Sequence, residues 1–126
     1  MAFSFVHSAF SFYILMIKEN SSNAINKAFL YRSCRINGAL DAISGRWKAL
    51  IVIHISEGND RFSLLKAAME GITDQTLGKQ LKELEASGLI SKTIIPAVPT
   101  RVDYTLTPKG QALLPILANL SEWSDM

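Results

Sequence analysis

Hydrophobic positions change their spacing several times along the chain, and each change predicts an element. Between Asn37 and Ser44, Ala39, Leu40, Ala42 and Ile43 give a short helical pattern that Gly45 interrupts. Trp47 to Ser56 (WKALIVIHIS) is apolar nearly all round. In a helix that means burial in the middle of a domain, although the length alone also admits a strand. Glu57 to Asp60 (EGND) is turn chemistry. Phe62 then opens a further helix, with Ser63 as a candidate N-cap and Leu64, Leu65, Ala68 and Met69 turned inward.

After a three-residue junction, Gly71, Ile72 and Thr73, the pattern sharpens. Thr73 is a good N-cap and Asp74 suits the positive end of a helix dipole, while Leu77, Leu81 and Leu84 recur at helical spacing and predict one buried stripe. Gln75, Thr76, Lys79, Gln80, Lys82 and Glu83 occupy the opposite face, and Gly88 stands at the C-terminal cap. Leu89 to Ile95 and Arg101 to Leu106 then read as two strands, the second with Val102, Tyr104 and Leu106 on one side. Pro96 and Pro99 lie between them, so the pair is predicted to form a projecting hairpin with Arg101 at its base. Thr107 followed by Pro108 is a strong helix start. Leu113, Leu114, Ile116, Leu117, Leu120 and Trp123 make that helix too apolar for a monomer's outer surface, and Pro115 should bend it. Trp47, Tyr104 and Trp123 are expected in the core, and His54 as a hydrogen-bonded core residue.

The N-terminus departs from this regularity. Ala2 to Ile17 (AFSFVHSAFSFYILMI) is uncharged but shorter than the roughly 18 apolar residues of a spanning helix, and no cation precedes it as a signal peptide requires. The expectation is an extension over residues 1–23 that packs on the domain, or a start codon placed early with Met16 as the internal start. No membrane partner is expected. Lys18 to Asn26 (KENSSNAIN) reads as a short linker or a helix start, so residues 24–126 form the compact domain.

Composition narrows the function. Of 126 residues, 48% are hydrophobic and 19% charged, which suits one globular domain with a single core. Thirteen basic against eleven acidic residues leave a net charge of only +2, so contact with a polyanion has to come from local arrangement. One cysteine, Cys34, forms no internal disulfide and points to a reducing, cytoplasmic setting. His7 and His54 stand far apart, no cluster has metal-ligand spacing, and neither GxGxxG nor a P-loop is present. No cofactor or metal is called for, and no nucleophile and base pair suggests an enzyme.

The predicted order of elements is mainly α with a small β-hairpin wing, the parts of a winged helix-turn-helix. A helix with one apolar stripe can lie in the major groove of double-stranded DNA, about 12 Å wide, while its polar side chains reach base edges and phosphates. Gln75, Thr76, Lys79 and Gln80 carry suitable donors and acceptors, Lys82 extends the same face, and Arg101 can reach the neighbouring backbone or minor groove. Arg61, Lys48 and Lys66 are further candidates for phosphates. A bland alternative holds for every one of these charges, because most lysines on helices are simply solvated or paired to a nearby glutamate.

Residues 34–124 resemble the HxlR-type branch of the MarR-like winged helix-turn-helix transcriptional regulators. The resemblance rests on Cys34, ALDAISGRWK (39–48), RFSLLKAAMEGIT (61–73), LGKQLKELEASGLI (77–90), PAVPTRVDYTLTPKG (96–110) and LLPILANLSEW (113–123), in that order and spacing. It implies a homodimer joined by N- and C-terminal helices, a recognition helix over Thr73 to Ser87 and a wing over Pro96 to Arg101. It also implies a pseudo-palindromic operator as partner, and Cys34 as a candidate sensor of oxidants or electrophiles, a role that adjacent Arg35 would favour by stabilising the thiolate. Two departures are visible: Arg35 replaces the proline that commonly follows the cysteine, and Gly78 interrupts the recognition helix at a cost of about 1 kcal/mol relative to Ala. Two further functional readings are a winged-helix protein-interaction module that does not bind DNA and, resting on Ala2 to Ile17 alone, a membrane-tethered regulator.

Overall fold

A computed structural model describes residues 21–126. Among them are five helices and one hairpin: α1 (Ser21–Ala42), α2 (Lys48–Ser56), α3 (Phe62–Ala68), α4 (Asp74–Ala86), β1 (Ile90–Ile95), β2 (Arg101–Leu106) and α5 (Pro108–Ser124). The chain divides after Ala42 into two compact units. The uncharged stretch Ala2 to Ile17 lies outside the described residues.

In the first unit, α1 runs for 22 residues, so the short helix expected from Asn37 is only its last turns. Ser21 to Asn26, which also reads as linker, is helical. The polar, Ser/Asn-rich start hides the helix from periodicity. Ile25, Phe29, Ile36 and Leu40 are exposed, at offsets of 4, 11 and 15 residues from Ile25. At 3.6 residues per turn they fall within one stripe about 60° wide.

The second unit, Ile43–Met126, is built around α2. Ile51, Val52 and Ile55 are buried there with Leu65 and Met69, Ile72, the three leucines of α4, Leu89 and Ile90, and Leu117. Each such side chain contributes roughly 1.5–3 kcal/mol by leaving water. WKALIVIHIS is thus a helix and not a strand, set between Gly45 and Gly58, both with the positive φ that ends a helix or turns a loop. Trp47 is only half-buried, because it caps α2 at the surface with the Arg46 guanidinium 4.7 Å from its ring centroid. His54 is also half-buried and meets Glu57 at 3.3 Å.

Helix α3 departs from the predicted pattern. Its N-cap is Arg61 rather than Ser63, and Leu64 and Ala68 face solvent. The cause is its length: after seven residues the chain leaves the helix at Met69, which drops into the core together with Ile72. The junction to α4 therefore spans Met69 to Thr73, two residues more than expected, and turns at Gly71 with φ 89°.

Strands β1 and β2 pair antiparallel from Ile90 opposite Leu106 to Ile95 opposite Arg101. This register places Arg101 at the far end of the ladder, beside the loop, and not at the hairpin base as expected. A hydrogen bond of 2.8 Å from the Tyr104 amide to the Asp60 carbonyl ties β2 to the turn between α2 and α3. Burial, then the nearby Glu85 charge, hold the Tyr104 phenol above its ordinary range, so it stays neutral.

Helix α5 starts as predicted, with the Thr107 hydroxyl accepting from the Gly110 amide at 3.1 Å and Pro108 in the first turn. It continues through Pro115; the carbonyl of Gln111, deprived of its usual donor, belongs to an exposed residue that water can serve. Only Leu117 and Gly110 are buried along it. Trp123, expected in the core, is 68% exposed and continues the stripe of exposed Ile116 and Leu120.

Candidate nucleic-acid interface

The candidate surface starts with how α4 is held. Thr73 has extended backbone and its hydroxyl accepts from the Thr76 amide at 3.1 Å, satisfying one of the free donors at the helix start. Leu77, Leu81 and Leu84 are buried to 2% exposure or less, which fixes the rotation of the helix. The outward face follows from that rotation. Asp74, Gln75, Gly78, Lys79, Lys82 and Glu83 line one shallow open depression along it.

Gln75, Lys79 and Lys82 are exposed there, and among the described residues neither lysine joins an ion pair. Thr76 is half-buried and its hydroxyl is engaged by the Thr73 hydroxyl at 2.9 Å, so it serves the cap. Gln80 is half-buried at the edge of the face. The missing side chain at Gly78 leaves open space above the backbone in the middle of the face.

Lys48 and Lys66, the further phosphate candidates, are occupied elsewhere. Lys48 is 8% exposed and its Nζ lies 3.0 Å from Glu83, so it is turned toward α4 and away from solvent. Lys66 Nζ lies 3.1 Å from Asp74 and donates to the Ile72 carbonyl, bracing the junction between α3 and α4.

Arg61 and Arg101 come together on one carboxylate. Arg101 Nε is 3.1 Å and Arg61 Nε 3.6 Å from Asp103 Oδ1, and Arg101 Nη2 donates to Oδ2 at 3.3 Å. Asp103 Oδ1 is shut off from solvent without an aligned hydrogen bond, so the guanidinium charges are what hold it. Both arginines remain more than two-fifths exposed and can present their other nitrogens outward. Asp103 was not among the sequence candidates. Its signal was present, because residues 101 and 103 share a strand face.

Cys34 is exposed on α1. Adjacent Arg35 donates to the Tyr31 hydroxyl at 3.5 Å, with its guanidinium 5.8 Å from the Tyr31 ring centroid. Among the described residues no group of three or more His, Cys, Asp or Glu side chains could hold a metal ion, and no helix is long and apolar enough to cross a membrane.

Comparison with known proteins adds an independent line. Residues 42–126 match the model of the HxlR-like helix-turn-helix family. Over 90 residues the chain is 43% identical to YvaP of Bacillus subtilis strain 168, an HTH-type transcriptional regulator, covering 71% of this chain and 83% of that one. Among solved structures, a MarR-family transcriptional regulator from Enterococcus faecalis V583 superposes with a TM-score of 0.68 at 38% identity, covering 74% of this chain and 84% of the other. The reduced form of the redox regulator HypR gives a TM-score of 0.68 at 35% identity, covering 72% and 90%.

Proposed function

Because the chain belongs to the HxlR-like helix-turn-helix family of transcriptional regulators, we propose that it acts as a homodimer on a pseudo-palindromic site in double-stranded DNA. The observation that carries this reading is the outward face of α4, where Gln75, Lys79 and Lys82 stand clear of the leucine stripe that anchors the helix. The helix enters the major groove. Gln75 offers both a donor and an acceptor to base edges, and the two lysines offer charge to phosphates. At the wing, Arg101 meets the adjacent backbone or minor groove, and Arg61 contributes a phosphate contact from the start of α3. The exposed stripes Ile116, Leu120 and Trp123 on α5, and Ile25, Phe29, Ile36 and Leu40 on α1, are the apolar surface that a second copy covers.

A salt titration of duplex binding tests this. Affinity should fall steeply between about 50 and 200 mM salt, and Lys79→Ala should weaken binding and reduce the log–log slope by about one for each subunit. A Lys79→Ala protein with unchanged affinity and slope removes that residue from the interface. Failure of the unaltered protein to hold any duplex at low salt would favour the protein-interaction module instead.

A second reading concerns Cys34, and two observations support it: the thiol is exposed, and the chain is similar to a protein named as a redox regulator. Two Cys34 thiols, one from each subunit, give up two protons and two electrons to an added oxidant such as diamide and form one disulfide. Non-reducing electrophoresis should then show a linked dimer that Cys34→Ser abolishes. A monomeric band after oxidation contradicts it.

A further inference from the structure

The depression on α4 has a charge balance that its own residues do not explain. It is lined by two carboxylates, Asp74 and Glu83, and by two ammonium groups, Lys79 and Lys82, so by itself it is neutral. Lysines paired with carboxylates of their own face have less charge to offer the phosphate backbone, and so release fewer counter-ions. Each carboxylate, however, is met by a lysine of another helix, Glu83 from the buried side and Asp74 at the surface. Lys48 of α2 reaches Glu83 at 3.0 Å, and Lys66 of α3 reaches Asp74 at 3.1 Å.

We propose that Lys48 and Lys66 are electrostatic positioning residues of the DNA-binding face: they neutralise Glu83 and Asp74 from the protein side, so that Lys79 and Lys82 act on DNA as uncompensated charges. Neither lysine touches DNA. Lys48 is the stronger case, because its side chain is 10% exposed while Glu83 is 41% exposed. At that depth its Nζ has the Glu83 carboxylate beside it and is screened from the phosphates of a bound duplex. Its pairing also holds Glu83 back from Lys79, the cation four residues earlier on the same helix face. Lys66 acts in the same sense at the start of α4, where its bond to the Ile72 carbonyl fixes it in place.

This inference rests on the proposal that α4 binds DNA, and the test separates the two. The full-length protein and three variants are titrated into a fluorescent 30-base-pair duplex of arbitrary sequence at about 50 mM salt, where non-specific electrostatic binding dominates. Lys48→Met fills the same volume without charge and should weaken binding about threefold to tenfold. Glu83→Gln should bind as well as the unaltered protein or up to about threefold better. Lys48→Met combined with Glu83→Gln should recover the unaltered affinity, which a merely structural role for Lys48 would not allow, and circular dichroism melting checks that each variant is folded. Lys48→Met binding unchanged, or the double variant binding as weakly as Lys48→Met, overturns the inference. Absence of duplex binding by the unaltered protein overturns the DNA reading itself and the inference with it.

Discussion

Gly78 and Gly110 look alike in the sequence, each a glycine within a helical pattern, yet their surroundings are opposite. A Cβ at Gly110 would lie 2.1 Å from the Leu89 carbonyl oxygen, whereas one at Gly78 would meet nothing within 4 Å. Gly110→Ala should therefore destabilise the fold by roughly 1–3 kcal/mol as the contact between α5 and the start of β1 is forced apart. Gly78→Ala should stabilise it by up to about 1 kcal/mol through helix propensity. Urea denaturation of both variants checks the pair, and the account fails if the signs are equal. The sequence could not separate them because the atom that matters to Gly110 lies 21 positions away. The same limit applies to Lys48. A lone lysine in an apolar helix signals a buried partner, but nothing local names Glu83 as that partner. Asp103 is the opposite case: its neighbour Arg101, two positions away on the same strand face, was in plain view.

Among elements, the legible ones were those whose ends carry their own chemistry. Thr73 and Thr107 cap their helices as their positions predict, and the leucine stripe of α4 fixes its rotation. Thr73→Ala should cost about 1 kcal/mol by leaving the Thr76 amide without its acceptor. Because α4 starts there, duplex affinity should fall along with the melting temperature; a variant that melts and binds like the unaltered protein contradicts this role. The illegible elements lacked such markers. Helix α1 begins in serine and asparagine without an acidic first turn, so it reads as linker. Helix α3 ends because Met69 leaves it for the core, two residues before Gly71, the glycine that marks the junction in the sequence. The hairpin register depended on where two prolines allow pairing to stop, and Arg101 moved from the expected base to the loop end.

For the whole molecule, the decisive feature is apolar surface left uncovered. Ile116, Leu120 and Trp123 follow one another at helical spacing on α5, with Trp123 68% exposed, and a single subunit offers water in their place. In the proposed homodimer a second copy would cover this stripe and set the distance between two α4 helices. Sedimentation of the full-length protein should give twice the chain mass, and Leu120→Glu should shift it toward the monomer while weakening DNA binding. A monomer that binds as tightly as the unaltered protein would separate the stripe from function. The most direct test of the central claim is a hydroxyl-radical footprint of the full-length protein on a duplex selected from a random-sequence pool. Two α4 helices reading successive major grooves should protect two patches about one helical turn apart on one side of the duplex. Both patches should fade together in a Gln75→Ala, Lys79→Ala variant. A single patch, no protection, or protection indifferent to those substitutions would contradict the account.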